Sequence, residues 1–157
     1  MKKYSKEQID ETRNHFKKER YAEIGVSIHG NDFSYYVLPK SLQPALPDFV
    51  FRMTGEPEDG YVFGISDSMP DAFRQYAVAH EFIEFTRIGI DTQGRCVEAL
   101  RTELMLVPED IKSDYINRRM DFFNNLVEYC KNKADFTPED IIEMQQSLSK
   151  LESLSKL

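Results

Sequence analysis

The sequence predicts an α+β fold in a single domain: one helix, then a small, mostly antiparallel sheet of three or four strands, then four further helices. Of the 157 residues, 41% are hydrophobic and 12% aromatic, which is enough to bury one core. Short segments rich in β-branched and aromatic residues dominate the first half, and longer segments with helical periodicity dominate the second. Because no repeat, low-complexity linker or change of composition divides the chain, we expect one domain over residues 1–157.

The first helix is predicted at about residues 5–20. Ser5 and Gln8 have the spacing of a capping box, in which each residue satisfies a backbone amide of the other. One face of this helix carries Ile9, Thr12 and Phe16.

Three or four strands are predicted next, because four short segments are rich in β-branched or aromatic residues and turns containing Gly or Pro separate them. These segments are residues 21–30, 32–39, 48–55 and 61–67. His29 ends the first of them, and we expect it to be a turn residue and not a ligand.

Four helices are predicted in the second half, from helical spacing of apolar residues between Gly and Pro boundaries. They cover residues 71–89, 96–107, 113–133 and 137–157, with a loop at 90–95 after the first. The last helix has an apolar stripe that could pack on its own domain or on a second copy of the chain, so a homodimer stays open.

Charge and cysteine content restrict the class of partner and the compartment. The net charge of −7 and the pI near 5.0 argue against direct nucleic-acid binding, which needs an electropositive surface. No apolar run approaches the ~20 residues that cross a bilayer, so we expect no membrane span. Cys96 and Cys130 form no CxxC motif and no signal peptide follows Met1, which indicates a cytoplasmic protein. A disulfide between the two cysteines stays open.

The candidate site lies in the segment VAHEFIEF, residues 78–85, within the predicted central helix. His80 and Glu84 are one turn apart and share a face, and Glu81 lies at the edge of that face. The other positions are apolar, so this helix should be buried. A buried carboxylate needs a cation, an arginine or water as partner.

A third ligand is expected from the following helix, if it packs antiparallel to the central one. Glu98 is the first candidate and Glu103 the competing one. A carboxylate at one of these two positions would complete a set of three ligands with His80 and Glu84.

The stretch from Tyr61 to Pro108, about a third of the chain, resembles the ImmA/IrrE-type zincin metallopeptidases. The resemblance lies in three segments: YVFGISDSMP, FRQYAVAHEFIEF and VEALRTELMLVP. That family has a His-Glu-x-x-His helix and a later helix with a ligand Glu. Here the motif is His-Glu-x-x-Glu, because Glu84 stands where the second histidine belongs.

This resemblance implies a zincin-like fold and a bound Zn²⁺ ion. By it, His80 is the first metal ligand, Glu81 the general base, and Glu98 the distal ligand, with Glu84 in the second position. One imidazole and two carboxylates would cancel the charge of Zn²⁺ and weaken its activation of water, so peptide hydrolysis would be weak or lost. An oxygen-rich site also accepts Mn²⁺ or Fe²⁺.

The alternative is a metal-free site. Arg87, one turn beyond Glu84, could pair with Glu84 or Glu98 and satisfy these carboxylates without an ion. The protein would then be a catalytically inactive pseudoenzyme that binds another protein, with the C-terminal helix as docking surface. Cys96 is expected to be a buried thiol and not a nucleophile. In either case the substrate or partner is expected to be a peptide or a protein.

Overall fold

The computed structural model describes residues 3–89, 92–131, 133 and 135–156. These residues form an α+β fold, as predicted from the sequence, with five α-helices and one sheet. The helices are α1 (Lys6–Lys18), α2 (Asp71–Ile83), α3 (Arg95–Leu106), α4 (Glu109–Cys130) and α5 (Pro138–Ser155). The strands are β1 (Glu23–Ile28), β2 (Asn31–Leu38), β3 (Val50–Thr54) and β4 (Tyr61–Ser66).

The sheet is mixed, with the strand order β1-β2-β4-β3. The pairs β1–β2 and β3–β4 are antiparallel, and the central pair β2–β4 is parallel. A two-residue turn joins β1 to β2, in which His29 and Gly30 have φ angles of 47° and 81°. Positive φ at both positions is the geometry of a tight hairpin turn that follows the twist of the strands. His29 is therefore a turn residue, as expected.

Helix α1 packs against one face of the sheet through the residues that the sequence placed on its inner face. Its capping box is formed, because Ser5 accepts from the amide of Gln8 and Gln8 accepts from the amide of Ser5. Ile9 and Phe16 are buried, and the Phe16 ring makes an edge contact with Phe51 of β3. This packing holds β3 in place beside the candidate site.

Helix α2 is buried between the sheet and α3. Ala77, Val78 and Ala79 are fully buried, and their small side chains allow neighbouring elements to approach closely. The helix continues into a π-helical turn, Glu84–Ile88, and ends at Gly89, whose φ is 96°. The expected end at Gly89 is thus observed, but the last turn is wider than an α-helical turn.

The remaining helices build a second layer, in which α5 packs against both α3 and α4. The predicted loop at 90–95 includes Ile90 and Asp91, which lie outside the described residues, as do Asn132 near the end of the long helix and Leu157. Within the described part of the chain, the helices lack the combination of length and apolar composition that a bilayer-spanning segment requires.

Candidate metal centre

His80 is at the centre of a buried polar cluster between α2, α3 and β3. Its side chain is 3% exposed, and its Nδ1 lies 2.8 Å from Oε1 of Glu103. Its Nε2 lies 3.2 Å from Oε1 of Glu84 and 3.6 Å from Sγ of Cys96. His80, Glu84 and Cys96 each offer one ligand atom. These three atoms lie within 4.8 Å of one another, which is close enough to hold a metal ion.

Glu103 is fully buried and fixes the imidazole of His80. Its carboxylate accepts from Nε and Nη2 of Arg119, at 2.8 and 3.2 Å, and from the hydroxyl of Tyr115. Burial alone would raise the pKa of Glu103, but Arg119 and the hydrogen bond from His80 outweigh burial and lower it. The carboxylate is therefore ionised, and Nδ1 of His80 donates its proton to it.

Arg52 on β3 joins the two carboxylates of the α2 motif. Its Nη1 lies 2.7 Å from Oε2 of Glu81 and 2.6 Å from Oε2 of Glu84. Burial raises the pKa of Glu84, but His80 and then Arg52 counteract it and lower the pKa to about 2. The arginine expected beside Glu84 is thus present, but it comes from the sheet.

Arg87, the arginine predicted for this role, is exposed. The reason is the π-helical turn, in which the amide of Gly89 donates to the carbonyl of Glu84 at 2.8 Å, five residues back. A wider turn changes the direction of residue 87 relative to residue 84, so the helical spacing assumed in the sequence does not apply.

The cluster requires a further positive charge beside His80. Three carboxylates, of Glu81, Glu84 and Glu103, face the two guanidinium groups of Arg52 and Arg119. Because Nδ1 donates to Glu103, a neutral ring would direct the lone pair of Nε2 at the carboxylate oxygen of Glu84. A proton or a metal ion must occupy this position. Burial lowers the pKa of His80, but Cys96 and Glu84 overcome this effect and raise it well above its ordinary value.

Helix α5 holds Cys96 in the cluster. The hydroxyl of Ser147 donates to Sγ of Cys96 at 2.9 Å. Glu143 accepts from the amide of Gly94 and, at 3.4 Å, from the amide of Cys96. The residue before α3 is a glycine and offers no side-chain cap, so a carboxylate from α5 caps the helix.

The two distances from Nε2 of His80 to the other ligand atoms fit a tetrahedral zinc site. Zinc lies about 2.0–2.1 Å from imidazole nitrogen, about 2.0–2.2 Å from carboxylate oxygen and about 2.3 Å from thiolate sulfur. Tetrahedral angles then place nitrogen about 3.4 Å from oxygen and about 3.6 Å from sulfur. The corresponding distances from His80 Nε2 are 3.2 Å to Glu84 and 3.6 Å to Cys96.

Each of the three ligands also has a hydrogen-bond partner outside the ligand set. Nδ1 of His80 bonds to Glu103, and Oε2 of Glu84 accepts from Arg52. The sulfur of Cys96 accepts from the hydroxyl of Ser147. Such outer partners orient the ligands of protein metal sites and set their basicity. The residues present therefore fit a metal ion in both spacing and support.

The cluster lines one side of a cavity of about 640 Å³. Glu81 and Arg52 line the cavity together with His80, Glu84 and Cys96. Most of the remaining wall is apolar, and it includes Leu38, Leu46, Phe49, Phe51, Phe122, Phe123 and Leu126. A cavity of this size and lining is typical of a site for a small apolar ligand or side chain.

Glu98, the expected distal ligand, is not brought to this group. Its side chain is 55% exposed and lies 3.4 Å from Nη1 of Arg101. Ala99, Leu100 and Leu104 form the inward face of α3, and Glu103 shares that face while Glu98 does not. Glu103, the competing choice, contacts His80 as an outer partner on Nδ1.

Two residues of the cluster, Cys96 and Arg52, were not foreseen as members. Cys96 is seven residues before Glu103, two helical turns, so both side chains lie on the same face of α3. Arg52 is the one charged residue in the strand segment VFRMT. Two sequence features could have identified them: a charged residue inside an apolar strand, and a cysteine on the same helix face as an inward glutamate.

Both cysteines are free.

Comparison with known proteins gives no relative: no protein-family model, curated protein or solved structure matches the chain. Any functional proposal therefore depends on the chemistry of the His80, Glu84 and Cys96 side chains.

Proposed function

We propose that His80, Glu84 and Cys96 bind a divalent metal ion, Zn²⁺ in the first place, and that the protein is a zincin-like, metal-dependent hydrolase of peptides. One observation carries the proposal: the distances from His80 Nε2 to Glu84 Oε1 and Cys96 Sγ are close to the edges of a zinc tetrahedron. The expected ligand set of one imidazole and two carboxylates is replaced by one imidazole, one carboxylate and one thiolate.

The donor types favour zinc over the hard metals. A thiolate ligand favours Zn²⁺ or Fe²⁺, whereas Mn²⁺ prefers oxygen ligands. One carboxylate and one thiolate cancel the charge of a divalent ion, as the two predicted carboxylates would, so the activation of water should be weaker than in a site with two histidines. Slow hydrolysis is therefore expected.

The other residues of the cavity have defined parts in such a reaction. A bound Zn²⁺ ion would supply a Lewis acid that polarises a carbonyl group and acidifies water. Glu81 follows His80 on α2 and lines the same cavity, where it can accept a proton as general base. Arg52 holds this carboxylate at 2.7 Å and is placed to neutralise negative charge that develops nearby. The apolar wall would hold an apolar side chain of the peptide.

A second candidate function follows from the contacts of Arg52. With a proton on His80, the guanidinium groups and the imidazolium balance the three carboxylates without any metal. The cluster would then be a structural ion-pair network of a pseudoenzyme that binds a protein partner. In this case Glu81 has no catalytic part, and its contact with Arg52 is permanent.

Metal binding is tested first. Protein purified without chelator should contain one equivalent of metal by elemental mass spectrometry, and the metal-free protein should bind Co²⁺ with a sulfur-to-metal absorption band. Cys96→Ser should remove that band and lower the affinity for Co²⁺ by on the order of 100-fold. Cys130→Ser is the matched control, because Cys130 is buried in α4 and belongs neither to the ligand group nor to the cavity lining, and it should leave the absorption band and the affinity for Co²⁺ unchanged. Absence of metal from the wild type would refute the proposal.

Hydrolysis is tested second, on the metal-loaded protein and a library of peptides with apolar side chains. Glu81→Gln should reduce turnover by about 100-fold or more while the metal content stays constant. A protein that binds metal but cleaves no peptide would refute the hydrolase and leave the metal site standing, whereas a protein that neither binds metal nor cleaves peptides would support the second candidate.

A further inference from the structure

The same cluster contains a second chemical arrangement that needs no metal. Sγ of Cys96 lies 3.6 Å from Nε2 of His80, and Nδ1 of His80 lies 2.8 Å from the carboxylate of Glu103. A nucleophile, a base in contact with it, and a carboxylate that orients the base form the sequence of groups found in nucleophilic catalysis. Arg119 holds Glu103 through two hydrogen bonds, so the orienting group is itself fixed.

Cys96 is accessible from the apolar cavity. It is half-buried and lines the cavity wall, whereas Cys130 is 1% exposed and does not line the cavity. Two exposed apolar side chains also line the cavity: Leu42 is 53% exposed and Phe136 is 36% exposed. They mark its open side, through which a ligand can reach the sulfur.

We propose that, in the metal-free protein, Cys96 is a nucleophile that takes an apolar acyl group from a thioester, with His80 as the proton carrier and Glu103 as its positioning residue. This activity goes beyond the proposed metal-dependent hydrolysis and does not depend on it.

The reaction is an acyl transfer between two sulfur atoms, without oxidation or reduction. Sγ of Cys96 attacks the carbonyl carbon of the thioester as the thiolate, while Nε2 of His80 carries the proton that the metal-free cluster requires. The new bond joins Sγ to that carbon, and the bond from the carbon to the original sulfur breaks. The leaving thiolate takes the proton from Nε2, so the products are S-acylated Cys96 and a free thiol.

The cavity determines the preferred acyl group. Its volume of about 640 Å³ lies in the usual range of small-molecule sites, and its wall is largely apolar. Each CH₂ group moved from water into such a wall favours binding by roughly fourfold. A long acyl chain should therefore react faster than a short one.

The experiment uses the full-length, chelator-treated protein and two thioesters of N-acetylcysteamine, the decanoyl and the acetyl ester. Peptide mass spectrometry follows acylation of Cys96 and of Cys130 in the same molecule. We expect Cys96 to react at least about tenfold faster with the decanoyl ester than with the acetyl ester, and Cys130 to stay unmodified. Equal rates for both esters, or equal modification of both cysteines, would overturn the proposal.

Two variants separate the parts of the proposal. Leu42→Asp changes an exposed residue of the cavity wall, so it should fold, and it should lower the decanoyl rate more than the acetyl rate. Glu103→Gln should slow both esters by the same factor and keep their ratio, because Glu103 contacts His80 but does not line the cavity that selects the acyl group. A changed ratio in Glu103→Gln would mean that Glu103 acts by shaping the cavity and not by positioning.

Addition of one equivalent of Zn²⁺ distinguishes this proposal from the metal site. If both hold, Zn²⁺ blocks acylation of Cys96. If Zn²⁺ neither binds nor protects while Cys96 is still acylated, the metal site fails and the nucleophile stands. If Zn²⁺ binds but the metal-free protein is not acylated, the nucleophile fails and the metal site stands.

Discussion

Glu103 and His80 are 23 residues apart in the chain, yet Oε1 of Glu103 lies 2.8 Å from Nδ1 of His80. This contact fixes the ring orientation and leaves Nε2 to Glu84 and Cys96. A metal ligand and a base of a nucleophile both require such a fixed ring. The Glu103 carboxylate is therefore the structural basis of both proposals.

Loss of the charge at Glu103 should destabilise the protein strongly. Glu103→Gln leaves the buried guanidinium of Arg119 without its carboxylate, and removal of one partner of a buried ion pair costs about 3–5 kcal/mol. Glu98→Gln is the matched control on the same helix, since that side chain is 55% exposed and should change the free energy of unfolding by less than about 0.5 kcal/mol. Urea unfolding measures both, and equal values for the two variants would contradict the assigned roles.

Arg52 should be replaceable by lysine more readily than by an apolar residue. One atom, Nη1, makes the contacts with both Glu81 and Glu84, so a lysine ammonium can supply the same charge. We expect Arg52→Met to lower the free energy of unfolding by about 3–5 kcal/mol and Arg52→Lys to lower it clearly less. Urea unfolding of the metal-free variants tests this order. A lysine variant as unstable as the methionine variant would show that the shape of the guanidinium matters more than its charge.

Local patterns predicted the parts of this structure that depend on neighbouring residues. The α+β class, the turn at His29 and the shared face of His80 and Glu84 follow from periodicity and turn chemistry within a few residues. The parallel pairing of β2 with β4 does not, because β3 lies between these strands in the chain and at the sheet edge in the fold. Non-local pairing has no signature in one short segment.

The composition of the site shows the same limit. The choice between Glu98 and Glu103 depends on how α3 is rotated, and its apolar positions contain that information. The choice between Arg87 and Arg52 depends on a π-helical turn and on the position of β3, which local spacing does not encode. A ligand set assembled from three elements needs their packing to be known.

Stability should fall in acid partly because of Asp48, which lies outside the metal centre. Burial raises the pKa of Asp48, but hydrogen bonds from Arg118 and Ser68 outweigh burial and lower it below 3.8. Because the folded-state pKa is lower than the unfolded one, this stabilisation is complete above the unfolded pKa and is lost as the pH falls through the folded pKa.

Asp48→Asn tests this contribution with little backbone strain, because asparagine also tolerates the φ of 61° at this position. The variant should be less stable than the wild type by about 1.5–3 kcal/mol near neutral pH, since hydrogen bonds to a charged group are lost. The difference should shrink as the pH falls below about 4. Urea unfolding across this range gives both curves, and a difference that stays constant with pH would exclude the lowered pKa as its source.

Glu143 should couple the docking of α5 to the position of Cys96. Glu143 is 7% exposed, and its carboxylate accepts from the amides of Gly94 and Cys96, so Glu143→Ala leaves two amides at the start of α3 without this partner. Each unsatisfied buried group costs about 1–3 kcal/mol. Cys96 would also lose part of its support, so we expect weaker Co²⁺ binding, by about tenfold or more. Glu152→Ala is the matched control, an exposed glutamate on the same helix, and it should change neither property. Unfolding and Co²⁺ titration of both variants measure the coupling. If Glu143→Ala lost stability but bound Co²⁺ as tightly as the wild type, α5 would support the fold without holding the metal ligand in place.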